Sequence, residues 1–436
     1  MSVNFNNVRT TIGKHMLADG MKPIIDLNKS HGSWLVDGNT GRKYLDLFSM
    51  YASMSIGYNH PYVMDNIDRL TEASINKPAN SDIYSIQMAE FVETVGRIAQ
   101  PDYMPYAFYI EGGSLAVENA LKTAFDWKAR KNIAAGKSHG KNLVIHLKDC
   151  FHGRSGYTMS LTDSPDIRKV QYFPKFNWPR ITNPFMKFPM NESNTEEVIK
   201  NENKSIDELK KIIHDSPNDI ACLILEPIQG EGGDNHFRIE YLQELKELSM
   251  NNEFLLIFDE VQTGIGITGK MWAHEHYEIN PDVMSFGKKT QCCGIFAGNR
   301  LEEVENHVFK ESSRINSTFG GNLVDMVRFT IYLELIEKEN LVQQASINGE
   351  YLHSSLLDLQ KNSKGMISNV RGRGLFCAYD LPTAEERDLM INYMEKEGGL
   401  VLGCGNNSIR FRPHLNISKD DIGQGISMMK IALSKI

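Results

Sequence analysis

Phe254-Leu-Leu-Ile-Phe-Asp-Glu-Val-Gln-Thr-Gly264 and Pro281-Asp-Val-Met-Ser-Phe-Gly-Lys-Lys-Thr-Gln-Cys-Cys-Gly294 decide the fold of this chain. Each opens on a short apolar run and ends abruptly in charge: Asp259-Glu260 in the first, Lys288-Lys289 in the second. Unbroken apolar strands are buried on both faces, as in a parallel sheet covered by helices. Outward from this pair, the runs Ala107–Ile110, Leu143–Leu147 and Ala221–Leu225 repeat the pattern, with helical stretches between them. After Gly112-Gly113-Ser114, the residues Val117, Ala120, Leu121 and Ala124 fall at i, i+3, i+4 and i+7, one buried helical stripe. The chain therefore reads as α/β with a mostly parallel sheet.

Both ends differ from this middle. Trp34 to Phe48 alternates apolar and polar residues around a Gly/Asn-rich turn, the pattern of a hairpin. Beyond about residue 340 the pattern predicts a strand near Gly374–Tyr379, a helix near 384–397 and strands around Leu400–Leu415. A last helix opens on the capping-box-like Ser418-Lys-Asp-Asp421. The expected division is an amino-terminal segment over 1–60, a large domain over 61–340 and a smaller α+β domain over 341–436 that the hairpin completes.

A length of 436 residues allows a large core and two or three domains. With 41% hydrophobic and 23% charged residues the composition is that of a globular protein. A net charge of -8 without a basic block argues against a nucleic-acid surface. The apolar runs are too short to span a bilayer, and Met1 to Leu17 lacks a signal peptide's apolar stretch. Six scattered cysteines without a C-x-x-C pair suit neither zinc nor a disulfide framework, so reduced thiols in a cytoplasmic protein are expected. A small metabolite is the expected partner, with no nucleic acid, membrane or metal.

The charged strand ends carry the chemistry, since open α/β sheets bind ligands there. Asp259 reads either as a strand-end acid capping a turn or as a buried carboxylate paired with a cation, such as a protonated ring nitrogen. Lys288 and Lys289 read either as a solvated loop or, between two apolar segments, as the site of a desolvated amine nucleophile. Tyr109-Ile-Glu-Gly-Gly-Ser114 ahead of a helix offers free N–H groups to an anion, although the G-x-G-x-x-G dinucleotide pattern is absent.

Together these stretches resemble the class III aminotransferases, and the similarity runs from Trp34 to the carboxyl terminus. The resemblance implies a fold-type I architecture with a seven-stranded sheet, the cofactor pyridoxal 5′-phosphate (PLP) and a homodimer with shared active sites. It implies that Asp259 partners the pyridine nitrogen, that Gln262 contacts the ring hydroxyl and that Phe151 stacks on the ring. Gly113 and Ser114 match the phosphate site, and Thr318, in Asn316-Ser-Thr-Phe-Gly-Gly, matches a threonine that reaches the neighbouring subunit's phosphate. The family's lysine directly follows a glycine, so Gly287-Lys288 fits and Lys289 comes one residue late. On a strand-like segment that slip would also turn the side chain to the opposite face.

Within the family, Lys-Thr-Gln-Cys-Cys-Gly, Glu111 to Lys128 and Phe151-His-Gly-Arg-Ser-Gly-Tyr-Thr158 look most like L-lysine 6-aminotransferases. That implies transfer of the lysine ε-amino group to 2-oxoglutarate, giving glutamate and 2-aminoadipate 6-semialdehyde, which cyclises to piperideine-6-carboxylate. The resemblance assigns Arg154 to the distant substrate carboxylate and Arg410, in Ile409-Arg-Phe-Arg-Pro413, to the near one. Glu231 matches a glutamate that pairs with Arg410 when no near carboxylate is present. Arg412, two residues on, is expected to face away from Arg410. Each of these can also be an ordinary surface ion pair. Ornithine or 4-aminobutyrate aminotransferase and a PLP aminomutase are the alternatives; the preferred keto acid and the pathway are not legible.

Overall fold

The computed structural model describes residues 3–436; Met1 and Ser2, where the amino-terminal reading begins, lie outside the described residues. The expected hairpin is present: β1 (Trp34–Val36) pairs antiparallel with β2 (Lys43–Asp46), placing Leu35 opposite Tyr44. The middle of the chain supplies β3 (Tyr106–Ile110), β4 (Leu143–Leu147), β5 (Arg180–Ile181), β6 (Ile220–Leu225), β7 (Leu255–Asp259), β8 (Val283–Phe286) and β9 (Cys293–Ala297). These form one seven-stranded sheet in the order β3-β9-β8-β7-β6-β4-β5. The pairings from β8 through β5 are parallel, and β9 runs antiparallel to both its neighbours.

Alternate residues of the apolar runs bury on opposite faces of this sheet, as the period of two requires. Val144, Ile224, Leu255 and Ile257 pack with Val117, Ala120, Leu121 and Ala124 of the helix Gly113–Ala134. Ile145, Leu223, Leu256 and Phe258 pack on the other face with Tyr241, Leu242 and Leu245 of the helix Ile239–Asn251. The sheet is therefore covered twice. Truncating a fully buried leucine such as Leu121 or Leu256 to alanine would cost about 2–5 kcal/mol.

The carboxy-terminal part adds β10 (Ser368–Arg373), β11 (Phe376–Asp380), β12 (Gly399–Leu400), β13 (Leu402–Cys404) and β14 (Ser408–Phe411). Four of these make the sheet β10-β11-β14-β13, while β12 joins β2 in parallel, so the hairpin is completed by the chain's far end. Helices Ala384–Glu397 and Lys419–Leu433 fall as expected. Ser418 caps the last helix by accepting from Asp421 N–H at 3.0 Å. The expected box is not closed. The Asp421 carboxylate instead accepts from Ser33 Oγ at 2.8 Å and Trp34 Nε1 at 2.9 Å, fastening the hairpin to the last helix. All six cysteines are buried and free. No helix among the described residues is long and apolar enough to cross a membrane.

Candidate active site

Strands β4, β6, β7 and β8 deliver their carboxyl ends to one cavity. It is lined by Gly113, Ser114, Phe151, His152, Glu226, Glu231, Asp259, Val261, Gln262 and Lys288, among others. Asp259 closes β7 and is 4% exposed. Its Oδ1 accepts from Val261 N–H at 3.1 Å and Ser285 Oγ at 3.2 Å, and its Oδ2 lies 2.7 Å from His152 Nδ1. Burial opposes charge on His152, but the neighbouring Cys150 sulfur and the hydrogen bond to Asp259 outweigh it and hold the imidazole pKa well above its ordinary value. The pair is thus a carboxylate backed by a ring nitrogen, buried where both residues line the cavity.

Lys288 follows Gly287 at the end of β8, with φ at 54°, left-handed backbone that a side-chain-bearing residue adopts only under tertiary constraint. Burial lowers its pKa, Arg410 reinforces this and Asp259 opposes it. Its Nζ makes no hydrogen bond to any described residue. Lys289 points elsewhere: it is 1% exposed and donates to the Gln262 carbonyl at 3.0 Å. The two lysines do diverge, but not by strand alternation. Residues 288–290 form a 3-10 turn, and the left-handed step at Lys288 separates the side chains.

Gly113 begins a 22-residue helix behind Gly112, whose φ of 95° needs glycine. The first N–H groups of that helix have no intrahelical partner and carry the positive end of its dipole. A Cβ on Gly113 would come within 2.9 Å of Val261 Cγ1, so the bare backbone lets the helix start approach the cavity wall. Phe151 and Val261 line the cavity from two different loops.

Arg410 on β14 is buried and donates from Nη2 to Glu231 Oε2 at 3.1 Å, while its Nε and Nη1 have no partner. Glu231 is shared: its Oε1 pairs with Lys169, whose ammonium stands 5.8 Å from the Phe151 ring centroid. Burial alone would raise the Glu231 pKa, but Arg410 and Lys169 overcome it and bring it below the usual carboxylate range. Arg412 does not face away from Arg410. Residues two apart on a strand share a face, and Arg412 reaches the same wall, donating to Gln262 Oε1 and Asp234.

Three expected residues do not line the cavity: Arg410 meets it through Glu231, and Arg154 and Thr318 stay outside. Arg154 is exposed, with its backbone N–H on Ser114 Oγ at 3.3 Å and no ion pair among the described residues. Thr318 is exposed on a separate loop, where its carbonyl accepts from Ser81 Oγ. Three residues were not anticipated. His152 sits beside Phe151, and its buried Nε2 is unpartnered. Glu226 follows the apolar run of β6 just as an acid ends β7, so the same strand-end logic could have found it. It accepts from Phe151 N–H and Gly230 N–H at 2.7 Å each, and burial pushes its pKa up to about 7. Lys169 carries no signal, being one lysine in a loop.

The orphaned buried atoms are informative, because buried polar groups normally find partners. Asp259 suits a protonated aromatic nitrogen, the helix start a phosphate and the Lys288 amine, unbonded among the described residues, a carbonyl carbon, while Arg410 Nε and Nη1 are left for a carboxylate. These residues fit PLP.

Comparison with known proteins agrees. Residues 16–433 match the family model for class-III aminotransferases. The chain is 45% identical to an L-lysine-epsilon aminotransferase of Mycobacterium bovis, over 98% of this chain and 95% of that protein. A 4-aminobutyrate aminotransferase of Dictyostelium discoideum is 33% identical over 92% of this chain and 83% of its own length. The solved lysine aminotransferase of M. tuberculosis, in its internal aldimine form, superposes with a TM-score of 0.97 at 45% identity, covering 99% of this chain and all of that one.

Proposed function

The chain belongs to the class III aminotransferases, and on that premise we propose that it is a PLP-dependent L-lysine 6-aminotransferase. It moves the ε-amino group of lysine to 2-oxoglutarate, giving glutamate and 2-aminoadipate 6-semialdehyde, which cyclises to piperideine-6-carboxylate. The observation that carries the ω-amine reading is the Arg410–Glu231 pair, whose acid lines the cavity. Lysine brings an uncharged chain to the reacting carbon, whereas the keto acid brings a carboxylate. A guanidinium with two free N–H edges and a displaceable acid serves both in turn. The higher identity to the lysine enzyme than to the 4-aminobutyrate enzyme supports the same reading.

PLP, when bound, supplies an electron sink to the carbon that loses its proton. Lys288 would hold it covalently, and its lowered pKa makes Nζ a usable base for taking that proton and returning it. Asp259, hydrogen-bonded to His152, would pair with the ring nitrogen and keep it protonated. Gly113 and Ser114 would bind the phosphate, Phe151 would cover the ring, and Gln262 would donate to its oxygen. Arg410 would hold the near carboxylate and Arg154 the distant one. Thr318, exposed and away from its own cavity, suits a reach to the phosphate in a second copy, hence a homodimer with shared sites. The same reading includes a cytoplasmic enzyme, divided at 1–60, 61–340 and 341–436.

A panel of lysine, ornithine and 4-aminobutyrate as donors, with product identification by mass spectrometry, tests the proposal. A piperideine carboxylate formed fastest from lysine is expected. Preference for ornithine or 4-aminobutyrate would refute the substrate while leaving the family intact, and turnover without a keto acid would point to an aminomutase.

A further inference from the structure

Gln262 is held at both ends by buried basic side chains from distant parts of the chain. Its backbone carbonyl accepts from Lys289 Nζ at 3.0 Å. Its side-chain Oε1 accepts two hydrogen bonds from Arg412, from Nε and from Nη2, both at 3.0 Å. A guanidinium only donates, so the amide atom that receives both bonds must be the oxygen, which decides the flip of the amide. The Nε2 group is left with no hydrogen bond among the described residues, on a residue that lines the cavity.

Arg412 is itself immobilised. Its Nη1 and Nη2 grip the two oxygens of Asp234, and Nη1 also donates to the Phe411 carbonyl at 2.8 Å. The guanidinium carbon lies 3.2 Å from the Phe376 ring centroid. The Arg412 and Asp234 side chains are 1% and 0% exposed, so the pair is insulated from water. The amide also lies against Gly230, where a Cβ would stand 2.3 Å from Gln262 Oε1. Burial and the nearby Arg412 depress the Lys289 pKa well below its ordinary value.

We propose that Arg412 and Lys289 are positioning residues for Gln262: Arg412 locks its amide so that the N–H groups, never the oxygen, face the cavity, and Lys289 fixes the backbone that carries it. This rests on the reading of the cavity as a PLP site. An unpinned amide could present its oxygen to the anionic ring oxygen and repel it; a pinned one always donates. It also gives Lys289 a task distinct from that of Lys288.

The test uses the PLP-loaded enzyme and two readouts besides turnover: the PLP dissociation constant and the pH midpoint of the cofactor's visible absorbance. Gln262→Ala should weaken PLP about ten- to a hundredfold, as expected for a hydrogen bond to a charged group, and shift the midpoint. Arg412→Lys and Lys289→Met should shift the midpoint in the same direction and weaken PLP about tenfold. Either change should add nothing in the Gln262→Ala background, the signature of action through Gln262. Gly230→Ala, which displaces the amide without removing a charge, should reproduce the effect and replaces Arg412→Lys should that variant not fold. Folded variants with wild-type midpoint and PLP affinity, or effects that add fully to Gln262→Ala, would overturn the positioning role. If Gln262→Ala itself changes neither readout, the cofactor reading of Gln262 fails instead.

Discussion

Glu231→Ala tests the two-substrate logic directly. Among the described residues Glu231 is the one carboxylate bonded to Arg410, whose side chain is 5% exposed and whose Nε and Nη1 are already unpartnered there. Removing the acid leaves a buried cation with no counter-ion at the place where a substrate's near carboxylate would bind. Such a cation favours glutamate, which supplies that carboxylate, and disfavours lysine, whose ε-end cannot. One charge-assisted hydrogen bond contributes about 1.5–3 kcal/mol, so the preference for lysine over glutamate should fall about ten- to a hundredfold. Rapid mixing of the PLP-loaded enzyme with each amino acid separately, followed through cofactor absorbance, measures the two half-reactions. Lysine should react more slowly and glutamate nearly as before. Glu231→Gln, which keeps the shape and removes the charge, should behave like the alanine variant. Equal slowing with both amino acids would make Glu231 a structural residue and refute the reasoning.

Further expectations concern the neighbouring groups. Lys288→Ala should abolish turnover and covalent PLP attachment, whereas Lys289→Met should retain attachment; peptide mapping after borohydride reduction decides, and an adduct on Lys289 would reverse the assignment. Asp259→Asn should still bind PLP but lose several orders of magnitude in rate, because a neutral amide cannot keep the ring nitrogen charged; wild-type turnover would remove Asp259 from that role. Lys169→Met leaves Glu231 to Arg410 alone, so the KM for 2-oxoglutarate should rise with the lysine half-reaction unchanged, and steady-state kinetics with each substrate varied would show whether it does. Burial lowers the pKa of His414 and of His276 to about 4 from 6.5. Their unfolded forms bind more protons between those values, so stability is full above pH 6.5 and is lost as pH falls toward 4. Melting temperatures across that window should fall, and less steeply in His414→Gln; an unchanged slope would exclude His414 as a contributor.

What could be read from the sequence was set by how local each signal is. The strands β4, β6, β7 and β8 announce themselves as apolar runs because both faces are buried, and the acid or lysine that ends each run marks the binding edge. The apolar segment after the lysines was visible, but not that Cys293–Ala297 is a strand running against the parallel majority, since direction leaves no mark in an apolar run. The two-residue β5 is too short to leave a pattern. Asp421 looked like half of a helix cap because the cap is a local motif, yet its carboxylate serves Ser33 and Trp34 at the other end of the chain.

The polar network is where locality fails. Nothing near Gln262 in sequence indicates that its amide is fixed by a guanidinium 150 residues away, or that Glu231 is shared with a lysine 62 residues before it. Arg412 is the instructive error, because the period of two already placed it on the face of Arg410. Taken as pointing away, it could be assigned no task. On the shared face the two arginines differ: Arg410 keeps Nε and Nη1 unbonded among the described residues, and the donors of Arg412 go to Asp234, Gln262 and the Phe411 carbonyl. The adjacent lysines divide in the same way, Lys288 unbonded in the cavity and Lys289 bonded beneath it. In each pair one residue keeps donors that are unbonded among the described residues, and on the proposed reading the pattern of satisfied and unsatisfied donors separates the groups that meet the ligand from those that hold them in place.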